Sequence, residues 1–168
     1  TAISLAGGHM SVYQLTIEQG TAFHGLHQRG AFQIPDEDTG AALYEATEAI
    51  LEAAGMPRYE ISNHAAPGHE CAHNLIYWRG GEWAGVGPGA HGRLVQSGAR
   101  RTFAQTRTPE AWLTKVETTG HATSASDSLT AEDVAAEALM MGLRLTEGVD
   151  LKRFNRQTGG GLPDFVDH

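Results

Sequence analysis

The chain has 168 residues, with 20 acidic against 12 basic side chains and a formal net charge of −8. This acidic balance excludes the clustered Lys and Arg surface with which proteins bind nucleic acid. No run of about 18 apolar residues is present, so we expect no membrane-spanning helix. The only cysteine, Cys71, excludes an internal disulfide and any site made of cysteines alone, and it favours the reducing cytoplasm.

The first part of the chain predicts alternating strands and helices. Residues 10–17 are rich in β-branched and aromatic side chains and predict a strand, whereas residues 21–33 predict a loop or a short irregular helix. Pro35 and the acids after it open a helix that Gly55 ends, and residues 58–62 predict a second strand. The apolar stripe of that helix is Leu43, Ala46, Ile50 and Ala54. This order is typical of an α/β fold.

Further along, residues 93–96 and 101–104 predict a hairpin whose turn is Ser97-Gly98. Residues 109–117 predict a helix that starts after Thr108, and residues 121–128 lack periodicity and predict a linker.

The last part predicts helices only. Thr130 and Asp133 form a capping-box pattern that opens a strong helix, which Gly148 is predicted to end. Its apolar face comprises Val134, Ala138, Met141 and Leu145. Asp150 caps a second, shorter helix. Because this helix pair is too small to fold by itself, and because the chain does not begin with Met, we expect a fragment of a longer protein.

The densest polar cluster contains His64, His69, Cys71 and His73. Imidazole and thiolate suit zinc, copper or iron, but the H-x4-H-x-C-x-H spacing matches no zinc-finger pattern. Three interpretations remain open: a loop with local hydrogen bonds, a dedicated metal site, or a site for a larger iron-bearing ligand.

Within this cluster stands H-N-x-x-Y-W at residues 73–78. A neutral imidazole is a good axial ligand for heme iron, and the aromatic rings of Tyr77 and Trp78 offer a flat apolar surface to a macrocycle. Nearby guanidinium groups would suit propionates. The alternative is a core Tyr–Trp pair beside a hydrogen-bonded histidine.

Two other stretches are candidates for ligand contact. Residues 87–92 contain G-x-G-x-x-G, but Pro88 interrupts it and a hairpin follows, so the glycines favour close backbone approach over dinucleotide binding. Gln14, Thr16 and Glu18 are predicted on one face of the first strand, either towards a ligand or towards solvent. No G-x-S-x-G elbow supports hydrolase chemistry.

Six blocks in this order resemble the HemW-type heme chaperones of the radical S-adenosylmethionine superfamily, described as oxygen-independent coproporphyrinogen III oxidase-like. They are Y-Q-L-T-I-E at 13–18, P-D-E-D at 35–38, R-Y-E-I-S-N at 58–63, H-N-x-x-Y-W at 73–78, G-V-G-P-G-A-H-G at 85–92 and M-M-G-L-R-L-x-E-G-V-D at 140–150. The H-N-x-x-Y-W block makes the resemblance closer to HemW than to the true coproporphyrinogen dehydrogenases.

The resemblance implies an α/β fold: the C-terminal portion of a partial (β/α)6 radical S-adenosylmethionine barrel, followed by the start of a small helical, winged-helix-like domain. It places the late barrel in residues 1–120, a linker in 121–128 and the truncated C-terminal domain in 129–168. The family's 4Fe-4S cluster is held by a C-x-x-x-C-x-x-C loop that is absent from this sequence. We therefore expect this chain alone not to be catalytic.

For function, the resemblance implies heme binding and delivery to client proteins, including membrane-bound respiratory enzymes, from the cytoplasm. It implies heme contacts by His73, Asn74, Tyr77 and Trp78, with His73 on the iron, and places Thr16 and His91 along the S-adenosylmethionine site. Two alternatives stay open: decarboxylation of coproporphyrinogen III propionates by a 5′-deoxyadenosyl radical, and a non-catalytic metal-binding fragment using the His/Cys cluster.

Overall fold

The computed structural model describes residues 2–165, which divide into two compact units after Glu70. Each unit combines helices with an antiparallel three-stranded sheet, so the mixed α/β content predicted from the sequence is present in both. Within the described range, no helix is long and apolar enough to cross a membrane.

The first unit is built around a short central strand. Its elements are β1 (His9–Ser11), α1 (Ala22–Gln28), α2 (Glu37–Ala53), β2 (Arg58–Glu60) and β3 (Asn63–Ala65). The strand order is β1-β3-β2, and both pairs are antiparallel. All three residues of β3 are buried, and Leu51 of α2, Met56 and Ala65 form the apolar core.

The predicted start and end of α2 are confirmed. Its apolar stripe, however, is exposed, whereas the sequence pattern indicates a buried face. The Asp36 carboxylate accepts a hydrogen bond from the Thr39 amide at 2.7 Å, which caps the helix. Leu51 is 3% exposed, whereas Leu43 and Ile50 of the predicted stripe are 51% and 60% exposed. The helix therefore packs through Leu51, and its stripe faces outward in the described residues.

The strand predicted over residues 10–17 is only partly correct. Regular pairing covers His9–Ser11, and one more hydrogen bond joins the Val12 amide to the Ser62 carbonyl at 2.8 Å. Beyond it β3 ends, so residues 13–17 have no strand to pair with among the described residues. Gln14 instead donates to the Gly40 carbonyl of α2 at 2.7 Å.

The second unit places one sheet among four helices. Its elements are α3 (Ala72–Trp78), β4 (His91–Gln96), β5 (Ala99–Gln105), α4 (Pro109–Thr119), β6 (Thr123–Ser128), α5 (Ala131–Gly142) and α6 (Leu151–Thr158). The sheet has the order β4-β5-β6, with antiparallel pairing throughout. Its apolar core comprises Ala122, Val134, Ala135, Leu145 and Phe154.

Most local predictions for this unit are confirmed. Ser97 and Gly98 turn the β4–β5 hairpin with φ values of 52° and 78°, the left-handed region that a tight two-residue hairpin needs. Thr130 and Asp133 form the capping box of α5, and the Asp150 carboxylate caps α6.

Two predictions in this unit are wrong. Thr123–Ser128, inside the predicted linker, is strand β6, because its backbone finds the free edge of β5 despite its Ser-rich composition. Helix α5 ends at Gly142 rather than Gly148. A Cβ on Gly142 would lie 2.9 Å from Val149 Cγ2, so this glycine permits the next segment to pack closely.

Candidate functional site

Helix α3 brings His73 and Tyr77 together, because residues four apart are neighbours on a helix surface. The Tyr77 hydroxyl shares a hydrogen bond with His73 Nε2 at 2.7 Å, and the two rings meet edge to face at 4.7 Å. His73 is exposed, whereas Tyr77 is half-buried. The imidazole is therefore held in one orientation at the protein surface by a tyrosine that is anchored inside.

Trp83 anchors Tyr77 from the other side. The two rings pack edge to face with centroids 4.6 Å apart. The Trp83 indole N–H donates to the His91 carbonyl at 3.1 Å, and the Arg93 guanidinium lies 5.7 Å from the ring centroid. Arg93 also pairs with Glu137 of α5 at 2.7 Å, so the support for Tyr77 extends through the sheet to a helix.

Trp78 lies in different surroundings from its neighbour Tyr77. The guanidinium of Arg144 covers its ring at 4.7 Å, a cation–π contact. Its indole nitrogen is buried and has no hydrogen-bond partner in the described structure. Trp78 is therefore packed against the segment after α5, and this covered ring face does not offer the flat surface to a ligand that the sequence suggested.

The end of α3 is clamped by side chains from two distant elements. Arg100 of β5 donates to the carbonyls of Gly80 and Gly81, each at 2.9 Å. Gln157 of α6 donates to the Gly80 carbonyl at 2.7 Å. Burial lowers the pKa of the Arg100 guanidinium. Its N–H groups are nevertheless hydrogen-bonded, because they donate to the two carbonyls. These contacts satisfy carbonyls that a helix end otherwise leaves free.

Arg79, which follows the motif, is committed to an ion pair. Its guanidinium makes a two-pronged contact with Glu147, at 2.8 and 2.9 Å. This hydrogen bonding lowers the pKa of the Glu147 carboxyl. Asn74 is half-buried and also interacts within the structure. Among the four predicted heme-contact residues, His73 and Tyr77 are the pair that a hydrogen bond between side chains joins directly.

The glycine-rich block serves close backbone approach, one of the two roles expected for it. A Cβ on Gly85 would collide with the His91 carbonyl, and one on Gly92 would lie 3.1 Å from the Trp83 carbonyl oxygen. Trp83 and Arg93 form a backbone bridge at this place. His91, predicted near S-adenosylmethionine, is exposed at the start of β4.

The His/Cys cluster of the sequence does not form a metal centre among the residues that the structure describes. Among residues 2–165, no group of three or more His, Cys, Asp or Glu side chains is placed to hold a metal ion, so the dedicated metal site, one of the three interpretations of His64, His69, Cys71 and His73, is not formed. His64 is 3% exposed, and its burial lowers the pKa of the imidazole. Thr16 is exposed in the irregular segment after β1.

The sequence interpretation missed several residues that build the site. Trp83, Arg144 and Gln157 have no recognisable spacing relative to H-N-x-x-Y-W, because they reach it only through the fold. The first unit likewise contains a polar network that the sequence did not predict. The buried Asn63 amide donates to Glu60, and Ser11 donates to Asn63. The E-x-x-N spacing across the turn from β2 to β3 was the available signal.

Comparison with known proteins places these features in a family. The model of the HemN C-terminal domain matches residues 129–167. Radical S-adenosyl methionine domain-containing protein 1 of Bos taurus mitochondria is 40% identical over 145 residues, which are 84% of this chain and 33% of that protein. The heme chaperone HemW of Bacillus subtilis is 36% identical over 162 residues, 96% of this chain and 42% of that protein. HemW of Mycobacterium tuberculosis is 37% identical over 152 residues, 90% and 38% of the two chains.

A solved structure shows the same fold. Coproporphyrinogen III oxidase (HemN) from Escherichia coli, a radical SAM enzyme, superposes with a TM-score of 0.67 at 16% identity, over 98% of this chain and 39% of that one. The partial-barrel expectation is consistent with this likeness. The chain spans about a third of the length of the first curated relatives. Over the length that it covers, the chain is similar in sequence to the HemW-type heme chaperones, and its last part matches the HemN C-terminal domain.

Proposed function

We propose that this chain is the heme-binding part of a heme chaperone, with His73 as the axial ligand of the heme iron. The observation that carries the proposal is the exposed His73 imidazole, whose Nε2 is bonded to Tyr77. The other ring nitrogen, Nδ1, has no hydrogen bond among the described residues. An imidazole that is fixed on one side and open on the other is the form that axial ligands of heme iron take.

The other three motif residues support His73 in different ways. Tyr77 touches the ligand imidazole itself, and we propose that it also borders the bound macrocycle. Trp78 packs against the Arg144 guanidinium, and Asn74 is half-buried four residues before it. Heme, when bound, would bring an iron that accepts the imidazole lone pair; the residues of α3 supply the lone pair and its direction.

S-adenosylmethionine is the second cofactor that we propose for the longer protein, with Thr16 and His91 along its site. Both residues are exposed in their respective units. The residues present do not fit a 4Fe-4S cluster: such clusters need several thiolates, and Cys71 is the only cysteine of the 168 residues. The residues of this chain therefore support no radical step of their own.

The relatives favour heme delivery over porphyrinogen oxidation. Two of them are named heme chaperones at 36% and 37% identity. The oxidase is matched at 16% identity, which supports the fold alone. We propose that client proteins, including membrane-bound respiratory enzymes, receive the heme, and that delivery occurs in the cytoplasm, where a free cysteine such as Cys71 stays reduced.

Titration of the full chain with hemin, followed through the Soret band, tests the proposal. We expect His73→Ala to lose the axial-ligand shift and to weaken hemin binding at least about tenfold, because the iron loses its protein ligand. His121→Ala, which removes another exposed imidazole of the same unit, is the matched control and should leave the titration unchanged. A His73→Ala protein with the wild-type spectrum and affinity would contradict the proposal.

A further inference from the structure

An open groove of about 380 Å³ runs beside α3 and reaches α6. Alanine, leucine and isoleucine side chains of α3 form its apolar part, which we call the apolar floor, and two arginines contribute guanidinium groups. The lining residues are Ala72, Leu75, Ile76, Arg79, Gly81, Arg153 and Gln157. Ile76 is 42% exposed, so this apolar floor is open to a ligand.

The groove lies beside the proposed iron ligand on α3, although His73 is not itself one of the lining residues. Ile76 follows His73 by three residues, and residues at this spacing are neighbours on a helix surface. Ala72 directly precedes His73. A flat ligand whose centre is held by the His73 imidazole can therefore extend over the apolar floor towards α6.

The two guanidinium groups in the groove differ in how closely an acid holds them. Arg79 is bound in two-pronged fashion by Glu147 at 2.8 and 2.9 Å. Arg153 lies 3.9 Å from the Asp150 carboxylate, at the outer limit of an ion pair. The other oxygen of that carboxylate accepts the Arg153 backbone amide at 3.0 Å, as the cap of α6. The Arg153 guanidinium therefore keeps donors for a carboxylate ligand.

We propose that this groove receives the carboxylate edge of the heme, with Arg153 pairing with a propionate. The occupant follows from the lining: an apolar floor that ends at a guanidinium complements a planar tetrapyrrole with carboxylates on one edge. The inference rests on the proposed function and deepens it, because it assigns a role in ligand binding to a residue of α6.

The test compares heme with heme dimethyl ester, which has the same iron and ring but no free propionate. In Arg153→Gln we expect heme to bind about fivefold to tenfold more weakly, because a charge-assisted hydrogen bond is lost. The ester should bind this variant as it binds the wild-type chain. Lys152→Gln, which removes the neighbouring cation of α6 outside the groove, should bind both ligands like wild type.

The remaining outcomes separate this inference from the proposed function. Equal weakening of heme and ester by Arg153→Gln, or no weakening of either, would overturn the role of Arg153. Metal-free protoporphyrin IX, followed by fluorescence, tests the groove without iron: Arg153→Gln should weaken it and His73→Ala should not. In one further outcome, His73→Ala leaves the hemin spectrum unchanged while Arg153→Gln still weakens the binding of heme but not of the ester. That result would support the role of Arg153 in the groove and contradict His73 as the iron ligand.

Discussion

The hydroxyl of Tyr77 decides which nitrogen of His73 is open to a ligand. The hydroxyl occupies Nε2 at 2.7 Å, so a metal would approach Nδ1 while Nε2–H donates to the tyrosine oxygen. A hydrogen bond of this kind orients the ring and makes the imidazole a stronger ligand. Trp83 holds the tyrosine ring at 4.6 Å, so this orientation does not depend on α3 alone.

Tyr77→Phe should therefore weaken hemin binding about tenfold, because the imidazole loses its orienting partner. The measurement is a hemin titration with the Soret band as the readout. Tyr59→Phe is the matched control, since Tyr59 shares an equivalent hydrogen bond with His9 at 3.0 Å in the first unit. Tighter binding by Tyr77→Phe would instead show that the hydroxyl competes with iron for Nε2.

At the scale of elements, the sequence predicted those structures whose signals are local. The capping residues Asp36, Thr130 and Asp150 all begin helices, because a side-chain oxygen three residues ahead of a free amide is a purely local contact. Strand lengths depend on a partner. The strand predicted over residues 10–17 shortens to His9–Ser11, because β3 has only three residues, and β6 forms in a predicted linker because β5 offers a free edge.

The close approach of Gly85 to β4 leads to a prediction about stability. Gly85→Ala places a Cβ against the backbone of His91, closer than any van der Waals contact allows, so the strand must move. We expect a loss of about 1–3 kcal/mol in the free energy of unfolding, measured by urea denaturation.

The control for this substitution is Gly40→Ala, in the first half of α2. A Cβ there would make only an ordinary contact of 3.7 Å with the Gln14 side chain. Because alanine is the better helix former, we expect this variant to gain about 0.5–1 kcal/mol. Equal effects of the two alanines would show that the Gly85 contact is not tight.

At the scale of the whole molecule, the candidate site was predicted only in part. H-N-x-x-Y-W is contiguous, so His73 and Tyr77 could be selected from their spacing. Trp83, Arg144 and Gln157 come from outside the motif, and no local pattern connects them to α3. The apolar stripe of α2 shows a second limit of prediction from sequence. Periodicity identified the residues of the stripe, but it did not show whether another element covers them.

The exposed α2 stripe predicts how the chain behaves in solution. Leu43 and Ile50 are 51% and 60% exposed, so Leu43→Gln with Ile50→Gln should change the free energy of unfolding by no more than about 0.5 kcal/mol per site. The same variant should lower the fluorescence of a bound hydrophobic dye and reduce self-association in sedimentation. Leu51→Ala, at a position 3% exposed, should cost about 2–5 kcal/mol. Comparable unfolding of both variants would contradict this assignment of faces.

The hydrogen bonds to the Gly80 carbonyl couple α6 to α3, the helix that carries the proposed heme ligand. Since Gln157 of α6 and Arg100 of β5 both hold that carbonyl, a ligand that requires a folded α3 also stabilises α6 by mass action. The match to the HemN C-terminal domain begins at residue 129, but the contact of Gln157 with the Gly80 carbonyl joins that segment to the end of α3, so residue 129 is not a boundary of cooperative folding. Exchanging the segment after it for that of a relative would replace Gln157, one of the two side chains that hold the end of α3.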